Sequence, residues 1–252
     1  MQKLFQIPGM LAWQDIRQAY RRSAVGPFWL TIGMAVQIVT MGLVFGLIFR
    51  TNLADFLPFL AISIIFWGLI STTINDGCLT FIDSEAMIKQ LNLPFLTYVI
   101  RTVWRNLISL AHNLVLLPFL FLVFWKLPGI EMIASLPGLL LLVLNLSWLV
   151  LLLGMISARF RDMPPIVLSI TTIAFYVTPV MWYPKLIENN ELAHLMLGLN
   201  PIYHWLQIVR LPLLGQWPTL ENWGLASISA ALGWTLTLVL FKKYRNMIAY
   251  WV

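Results

Sequence analysis

Six long apolar runs, almost free of charge, follow one another along the chain with short polar segments between them. The runs cover residues 30–49, 58–75, 102–125, 136–157, 164–182 and 224–241. About 20 helical residues cross the ~30 Å hydrocarbon core of a bilayer, and a lipid-facing backbone must satisfy its hydrogen bonds within the segment. The pattern therefore predicts an all-α membrane protein with six transmembrane helices. Because the intervening segments are too short for a folded soluble domain, residues 1–252 are expected to form a single transmembrane domain.

The positive charges predict how the chain is oriented. It has 16 Lys and Arg residues against 10 Asp and Glu, a formal net charge of +6. On the six-span topology only Arg50, Lys126, Lys185 and Arg210 fall on one side, and all other basic residues fall on the opposite side. The positive-inside rule then places both termini in the cytoplasm. Since the basic residues are spread over juxtamembrane positions, they predict contact with anionic lipid head groups and no binding of nucleic acid.

Residues suited to covalent chemistry are sparse. The single cysteine, Cys78, excludes an internal disulfide, and the three histidines have no spacing typical of a metal site. No Gly-rich phosphate loop is present in the sequence. We therefore expect no catalytic residue, no metal site and no cofactor in this chain. Arg105 shares a face of the third run with Ser109 and His112, and it is interpreted as a structural residue near the membrane surface.

The segment before the first run predicts a helix that lies in the membrane interface. An apolar ridge of Trp13, Ile16 and Tyr20 runs along residues 11–23, and Gly26 and Pro27 follow it. The basic residues beside the ridge are Arg17, Arg21 and Arg22. One interpretation is a simple anchor, with aromatic rings at head-group level. The other is that the three guanidinium groups also collect an anionic, lipid-linked substrate.

Polar side chains in the first run predict two different faces of one helix. Gly33, Gln37 and Thr40 share one face, whereas Gly42 and Gly46 form a GxxxG pair on the opposite face. The glycine face can pack closely against a neighbouring helix. The polar face is open to two interpretations, namely hydrogen bonding between helices or the lining of a polar path.

The fifth run is polar and aromatic on both sides. If it is one helix, one face carries Ser169, Thr172, Tyr176 and Tyr183. The other carries Thr171, Phe175, Thr178 and Trp182. Rings combined with hydroxyl groups suit a sugar chain, because sugars stack on flat rings and need hydrogen-bond partners. For Trp182 and Tyr183, the aromatic belt at the outer membrane interface is an alternative explanation.

The loop after the second run predicts a short helix within residues 83–94, capped by Asp83 or Ser84 and ended by Pro94. Met87 and Leu91, four residues apart, would project together into a partner's groove. A helix that lies along the membrane with no partner is the alternative.

A last apolar segment, residues 192–214, is broken at Gly198, Asn200 and Pro201. Each half is too short to cross a bilayer, so we predict a re-entrant segment made of two half-helices that enter from the outer side. It is a candidate outer gate. The residues assigned to this gate are Asn200, Pro201, Tyr203 and Trp205.

Five stretches, in order along nearly the whole chain, resemble one family of permeases. They are DIRQAYRRSAVGPFW at 15–29, GLISTTINDGCLTFIDSEAMIKQLNLPFLTYVIR at 68–101, RFRDMPPIV at 159–167, TPVMWYP at 178–184 and NPIYHWLQIVRLPLLG at 200–215. The family is the ABC-2 type transporter permeases, and the branch is the one that exports polysaccharides such as lipopolysaccharide O-antigen, capsule and teichoic acid. One departure lies at residues 91–95, where relatives often have an aromatic residue before the proline and a basic residue after it.

The resemblance implies a transport subunit that works as a homodimer in the bacterial inner membrane. Two copies of a separate ABC ATPase subunit, which bind ATP and Mg, would supply the force. The substrate would be a lipid-linked glycan, with O-antigen carried on undecaprenyl pyrophosphate as the leading candidate. The family's ATPase-docking loop maps onto residues 83–94, and its aromatic-lined channel onto the surroundings of Phe175, Tyr176, Trp182 and Tyr183. The coupling residues on this mapping are Met87, Lys89, Leu91, Asn92 and Pro94.

Three other classes are weaker fits. An exporter of a drug, haem or lipid would share the architecture, but the tyrosine and tryptophan content of the fifth run argues against it. An integral membrane transferase would need carboxylates or histidines clustered at one membrane face, whereas Asp76, Asp83, Glu85 and Asp162 are scattered. A passive channel would not need a docking loop.

Overall fold

The computed structural model describes residues 2–21, 23, 25–26, 28–91, 93–124, 129–184 and 191–252. Within these ranges all regular secondary structure is helical and no strand occurs. The prediction of an all-α protein is confirmed.

Among the residues that the structure describes, five helical segments are long and apolar enough to cross a membrane. They are α2 (Phe28–Phe49), α3 (Leu53–Leu79), α5 with α6 (Phe95–Leu114 and Leu116–Val123), a 3-10 turn with α7 (Ile130–Ala134 and Ser135–Arg159), and α11 (Leu220–Tyr244). These helices coincide with five of the six predicted runs. The remaining helices are α1 (Gln2–Ala19), α4 (Glu85–Gln90), α8 (Met163–Val177), α9 (Glu191–Gly198), α10 (Pro201–Leu213) and α12 (Ile248–Trp251).

The helix in the fifth run is shorter than predicted. α8 has 15 residues, which span about 22 Å at 1.5 Å per residue and fall short of the hydrocarbon thickness. It ends before Thr178, whose backbone is extended (φ −83°, ψ 135°). Pro179 explains this, because a residue that precedes proline is disfavoured in the α conformation. Trp182 and Tyr183 therefore lie beyond the helix, and their assignment to two helical faces is wrong.

Proline also divides the third span. α5 ends at Leu114, Val115 forms a turn and α6 begins at Leu116. Pro118 lacks the amide proton that would bond to the Leu114 carbonyl, and its ring clashes with that carbonyl, so the helix breaks there. The His112 carbonyl at this break accepts a hydrogen bond from Thr31 Oγ1 of α2 at 3.0 Å.

α3 is the central helix of the bundle. It packs against α2, α5, α7, α8 and α10, and α7 separates it from α11. Gly42 and Gly46 of α2 are buried against Leu57 and Leu53 of α3, where an added Cβ atom would collide with the leucine side chains. The predicted packing face of the first span is confirmed. Small residues let membrane helices approach closely. Close packing is important there because the hydrophobic effect does not drive apolar side chains out of lipid.

The break predicted in residues 192–214 is present as the junction of α9 and α10. Asn200 caps α10, its Oδ1 accepting from the amides of Ile202 at 3.0 Å and Tyr203 at 3.3 Å, and Pro201 takes the first helical position. α10 is buried against α3, α7 and α11. Gly138 of α7 permits this, because a Cβ atom there would collide with the carbonyl oxygen of Ile208.

α1 begins earlier than the predicted interfacial helix and continues through Pro8 and Gly9. Contacts along α5 support it and outweigh the weak helix propensity of these two residues. The predicted ridge is divided, because Ile16 is buried whereas Trp13 is half exposed. The helix ends at Ala19, so only part of residues 11–23 is helical.

Candidate functional site

A groove of about 450 Å³ opens between α2, α3 and α8, and we call it the polar groove. Its lining combines hydroxyl and amide groups with aromatic rings, at a depth where membrane helices normally present aliphatic side chains. The lining residues are Met34, Gln37, Met41, Ile64, Trp67, Gly68, Ser71, Thr72, Asn75, Leu168, Thr171, Thr172 and Phe175.

The polar wall of the groove comes mostly from α3. Ser71 and Asn75 are one helical turn apart and Thr72 lies beside them, so all three face the same side. The hydroxyls of Ser71 and Thr72 both donate to the carbonyl of Gly68, at 3.4 and 2.6 Å. Their protons are therefore satisfied inside the helix, and their oxygens keep acceptor capacity towards the groove. Asn75 Oδ1 accepts from Thr171 Oγ1 at 3.4 Å and joins α3 to α8.

The aromatic wall is formed where α3 meets α8. The rings of Trp67 and Phe175 are 5.5 Å apart between centroids, with their planes tilted by 54°. Tyr176 packs edge-on against Phe175 at 5.4 Å, but it is 62% exposed and is not among the residues that line the groove. Rings and hydroxyl groups therefore meet in one place, which is the combination that a carbohydrate requires.

Only some of the residues predicted to line a channel lie in this groove. Gln37, Thr172 and Phe175 do. Gly33 and Thr40 are exposed on other parts of α2. These two residues are not brought to the groove.

The other predicted lining residues lie around α8. Ser169 is exposed and donates to the carbonyl of Pro165 at 3.0 Å. Trp182 donates through Nε1 to the carbonyl of Tyr176 at 3.2 Å. Tyr183 packs in the core, with its ring 4.4 Å from that of Phe59.

The residues that sequence reasoning missed are Trp67, Ser71, Thr72 and Asn75 of α3. A signal for the polar residues was present in the second run, where Ser71, Thr72, Thr73 and Asn75 lie together at the end of a mostly apolar sequence. The polar and aromatic residues of the fifth run do not identify the groove by themselves, because they form only one of its walls.

The predicted docking segment is helical only over α4, Glu85–Gln90, with Ser84 at the N-cap position. Lys89 Nζ lies 2.6 Å from Glu85 Oε1, and this ammonium holds the pKa of the Glu85 carboxyl below its usual value. Pro94 precedes α5 and occupies its N-cap position. Asn92 lies outside the described residues.

Met87 and Leu91 differ in their surroundings. Met87 is partly buried, and its sulfur lies 3.7 Å from Arg101 Nη1. Leu91 is 50% exposed and stands just beyond α4 in an extended conformation. The expectation that both would project together from one helix is therefore wrong, because the helix stops one residue before Leu91. Of the two residues, Leu91 is the more exposed.

An ionic cluster lies behind α4. Arg101 of α5 binds the carboxylate of Asp15 of α1 through Nε at 2.8 Å and Nη2 at 2.6 Å. Arg105 Nη2 lies 2.9 Å from Asp76 Oδ2 of α3, and Asn106 Nδ2 donates to the same oxygen at 2.9 Å. The structural interpretation of Arg105 agrees with this arrangement. The cluster links α1, α3 and α5.

Two of the three arginines assigned to substrate capture are described. Arg17 is exposed in the last turn of α1 and Arg21 is exposed in the turn that follows. Neither forms a salt bridge with a residue in the described part of the chain. Arg22 lies outside that part.

α10 is held in place by a buried guanidinium group. Arg210 is 1% exposed and donates to Pro179 O at 2.6 Å, to Ser63 Oγ at 3.0 Å and to Gln207 Oε1 at 2.9 Å. It also lies 4.5 Å from the ring centroid of Phe59. These contacts bind α10 to α3 and to the segment after α8.

Three of the residues assigned to an outer gate also form hydrogen bonds within the bundle. Asn200 Nδ2 donates to Thr178 Oγ1 at 3.0 Å, and buried Trp205 donates to Ser229 Oγ of α11 at 2.9 Å. Tyr203 accepts a hydrogen bond from Gln207 at 2.8 Å, while Pro201 is exposed at the start of α10.

The long apolar helices in the described part of the chain define a multi-pass membrane protein. A family model described as ABC-2 type transporter matches residues 9–214, and the chain belongs to this family. The match includes α1 from residue 9 onwards, both walls of the polar groove, α4 and α10. A curated relative is the "O-antigen export system permease protein RfbA" of Myxococcus xanthus, which is 25% identical over 206 residues, covering 80% of this chain and 79% of the relative. The family makes the chain a transport subunit rather than an enzyme.

Proposed function

We propose that the protein is the permease subunit of an ATP-driven exporter that moves lipid-linked polysaccharide, with undecaprenyl-pyrophosphate-linked O-antigen as its substrate, across the bacterial inner membrane. The observation that carries the proposal is the polar groove. The similarity to an O-antigen export permease supports it. A groove that joins ring faces to hydroxyl and amide groups suits a sugar chain better than it suits an apolar small molecule.

The polar groove is one half of the proposed conduit, and a second copy of the chain supplies the other half. α2 is the span with the smallest buried share, and it exposes large aliphatic residues along its length. A partner that covers α2 would also cover the groove beside it. Closing two grooves against each other would remove the polar lining from lipid, where unpaired polar groups are costly.

The proposed orientation places both termini and α4 in the cytoplasm. α8 together with residues 178–184 then makes the sixth crossing, and α9 with α10 forms the re-entrant outer gate. Two copies of an ABC ATPase subunit, which carry ATP and Mg, dock at residues 83–94. In this scheme Arg17, Arg21 and Arg22 attract the pyrophosphate group of the substrate at the cytoplasmic surface.

Force from the ATPase has a physical route to the groove. α4 contacts Arg101 through Met87, and Arg101 joins α5 to α1. Arg105 and Asp76 continue the connection to α3, where Asp76 directly follows Asn75 of the groove wall. Displacement of α4 would therefore act on both the interfacial helix and one wall of the conduit.

Complementation of a gene deletion tests the function. Deletion in the host should remove long polysaccharide from the cell surface and leave lipid-linked glycan inside, and the wild-type gene should restore export. A double variant, Ser71→Ala with Thr72→Val, keeps the helix packing but removes two hydroxyl groups from the groove, and it should restore export poorly at normal permease abundance. Thr235→Val is the matched control, since Thr235 makes the same bond to the preceding turn on an exposed face of α11.

Unchanged surface polysaccharide in the deletion strain would reject the proposed substrate. Accumulation of a drug, haem or lipid in that strain would assign the protein to another export class. Equal export by the groove variant and the Thr235→Val control would remove the polar groove from the conduit.

A further inference from the structure

A second groove lies on the opposite side of α7 from α3, between α7, α11 and α12. It has a volume of about 320 Å³ and we call it the basic-rimmed groove. It does not include any residue of the polar groove. Its lining residues are Leu152, Met155, Ile156, Arg159, Phe160, Leu240, Tyr244 and Trp251.

The basic-rimmed groove is amphiphilic along its length. Leu152, Ile156 and Leu240 form an apolar trough, and Arg159 is the last residue of α7 at its mouth. Seven residues separate Leu152 from Arg159, a rise of about 10 Å along the helix. The trough therefore runs from the membrane surface into the hydrocarbon region, beyond the reach of a docked soluble subunit.

The mouth of the groove is positively charged and carries aromatic rings. The Arg159 guanidinium lies 5.8 Å from the ring centroid of Phe160 and 5.9 Å from that of Trp251. These rings restrict the guanidinium while leaving its N–H groups free for an acceptor. Further basic residues follow at the ends of the same helices. They are Arg161, Lys242, Lys243 and Arg245.

None of Arg159, Arg161, Lys242, Lys243 and Arg245 forms a salt bridge with a carboxylate in the described part of the protein. Arg161 lies near enough to Glu85 of α4 to help lower the pKa of that carboxyl. An apolar trough that ends at the Arg159 guanidinium, with further basic groups beside it, is complementary to a molecule with an acyl chain and an anionic head.

We propose that the basic-rimmed groove binds an anionic glycerophospholipid, with one acyl chain along Leu152 and Ile156 and the phosphate at Arg159. The assignment rests on the proposed membrane orientation only in placing the site at the cytoplasmic leaflet. A polyprenyl phosphate has the same general chemistry, but the groove is separated from the polar groove by α7 and α3. A resident phospholipid is therefore the better occupant.

The site has a mechanical consequence. α12 packs against both α7 and α4, and Trp251 of α12 forms part of the groove mouth. A phospholipid held between Arg159 and Trp251 joins α12 to α7 and thereby supports the surface on which α4 rests.

Native mass spectrometry of the full chain in neutral detergent tests the site. Dioleoylphosphatidylglycerol should bind as a retained adduct, and dioleoylphosphatidylcholine should not. Arg159→Gln should weaken binding about tenfold, because a charge-assisted hydrogen bond is lost. Arg159→Lys should keep most of the binding. Ile156→Trp, which fills the trough while the charge remains, should also abolish the adduct, and Arg50→Gln at the other end of the bundle is the control.

Three results would overturn the proposal. One is equal retention of phosphatidylglycerol and phosphatidylcholine. The second is unchanged adduct formation by both Arg159→Gln and Ile156→Trp, with size-exclusion profiles matching the wild type. The third is displacement of phosphatidylglycerol by equimolar undecaprenyl phosphate, which would make the groove a substrate site. None of these measurements depends on transport, so they are independent of the proposed export function.

Discussion

Arg101 and Asp15, 86 residues apart in the chain, form a two-pronged ion pair that fastens α1 to α5. Both guanidinium–carboxylate contacts are short, at 2.8 and 2.6 Å, and both side chains are largely shielded from solvent. Paired geometry of this kind gives directional strength that a single contact lacks. The interfacial helix is thus attached to the bundle by an ion pair as well as by its apolar face.

The first prediction concerns this pair. Asp15→Asn and Arg101→Gln should each lower the thermal stability of the purified permease, and the double-mutant cycle should give a coupling free energy of about 1–3 kcal/mol. Asp15→Asn leaves the partly buried Arg101 guanidinium without its carboxylate, whereas Arg101→Gln leaves Asp15 only its longer contact of 3.8 Å with Arg105. Thermal unfolding in detergent, followed by the fluorescence of native tryptophans, measures the effect.

The exposed pair Glu85 and Lys89 is the matched control for that cycle. It has an equally short contact of 2.6 Å, but both side chains are about half exposed. Its coupling should be much smaller than that of the shielded pair, as for other exposed helical pairs. Equal coupling free energies in the two cycles would show that shielding from solvent does not strengthen the Asp15–Arg101 pair.

The second prediction separates Leu91 from Met87. Leu91→Asp should weaken co-purification of the ATPase subunit and leave the permease stable, because its side chain is exposed beyond α4. Met87→Asp should instead lower the thermal stability of the permease, since Met87 packs against Arg101. Affinity pull-down and thermal unfolding, measured on the same samples, report the two effects.

Leu220→Asp is the control for Leu91→Asp, because Leu220 is exposed at the start of α11. It should affect neither assembly nor stability. Retention of the ATPase by the Leu91→Asp variant would remove Leu91 from the docking surface.

The sequence predicted the spans well because bilayer thickness imposes a length and composition on each of them. Five of the predicted runs became long helices for that reason. The early end of α8 could also have been predicted, because Pro179 disfavours a helical conformation at Thr178. The apolar composition of the run favoured a longer helix instead. Local rules therefore account for most of the fold.

The contacts that build the candidate site were not predictable in the same way. The Asp15–Arg101 pair and the shared groove of Gln37, Thr72 and Phe175 depend on which helices become neighbours. Helical periodicity gives the face of each residue but not the helix opposite it. Tyr183 shows the limit most clearly, because the same aromatic pattern suits a channel wall and the core position that it occupies.

The third prediction tests substrate capture at the interfacial helix. Replacing Arg17, Arg21 and Arg22 by Gln removes the charge that we propose attracts pyrophosphate, while keeping residues of similar length and helix propensity. Export should therefore fall more than permease abundance. Surface polysaccharide and membrane-fraction immunoblots, compared in the same cells, measure the two quantities.

A triple variant at Lys242, Lys243 and Arg245, also to Gln, removes the same formal charge from a different helix. It should reduce export less than the α1 variant does. A parallel fall of export and abundance in the α1 variant would mean that these arginines only anchor the helix.

The last prediction concerns the rings of the proposed conduit. Phe175 lines the polar groove, and the exposed ring of Tyr176 packs edge-on against Phe175. A flat ring can hold many sugars by stacking without fixing their identity, as aromatic side chains do for the bases of single-stranded nucleic acids. Phe175→Leu and Tyr176→Leu keep apolar volume but lose the ring, so each should reduce glycan export while the complex assembles and hydrolyses ATP.

Tyr183 and Phe119 provide the comparisons for these two variants. Phe119 is an exposed ring on α6, away from the groove, and Phe119→Leu should export normally. Tyr183 packs against Phe56 and Phe59, so Tyr183→Leu should lower thermal stability instead of acting on export alone. Surface polysaccharide per molecule of permease, with the ATPase rate of the purified complex, distinguishes these outcomes. Full export by both groove variants would mean that their rings only pack against lipid or a neighbouring helix, and the conduit would then have to follow the Gly33 and Thr40 face of α2.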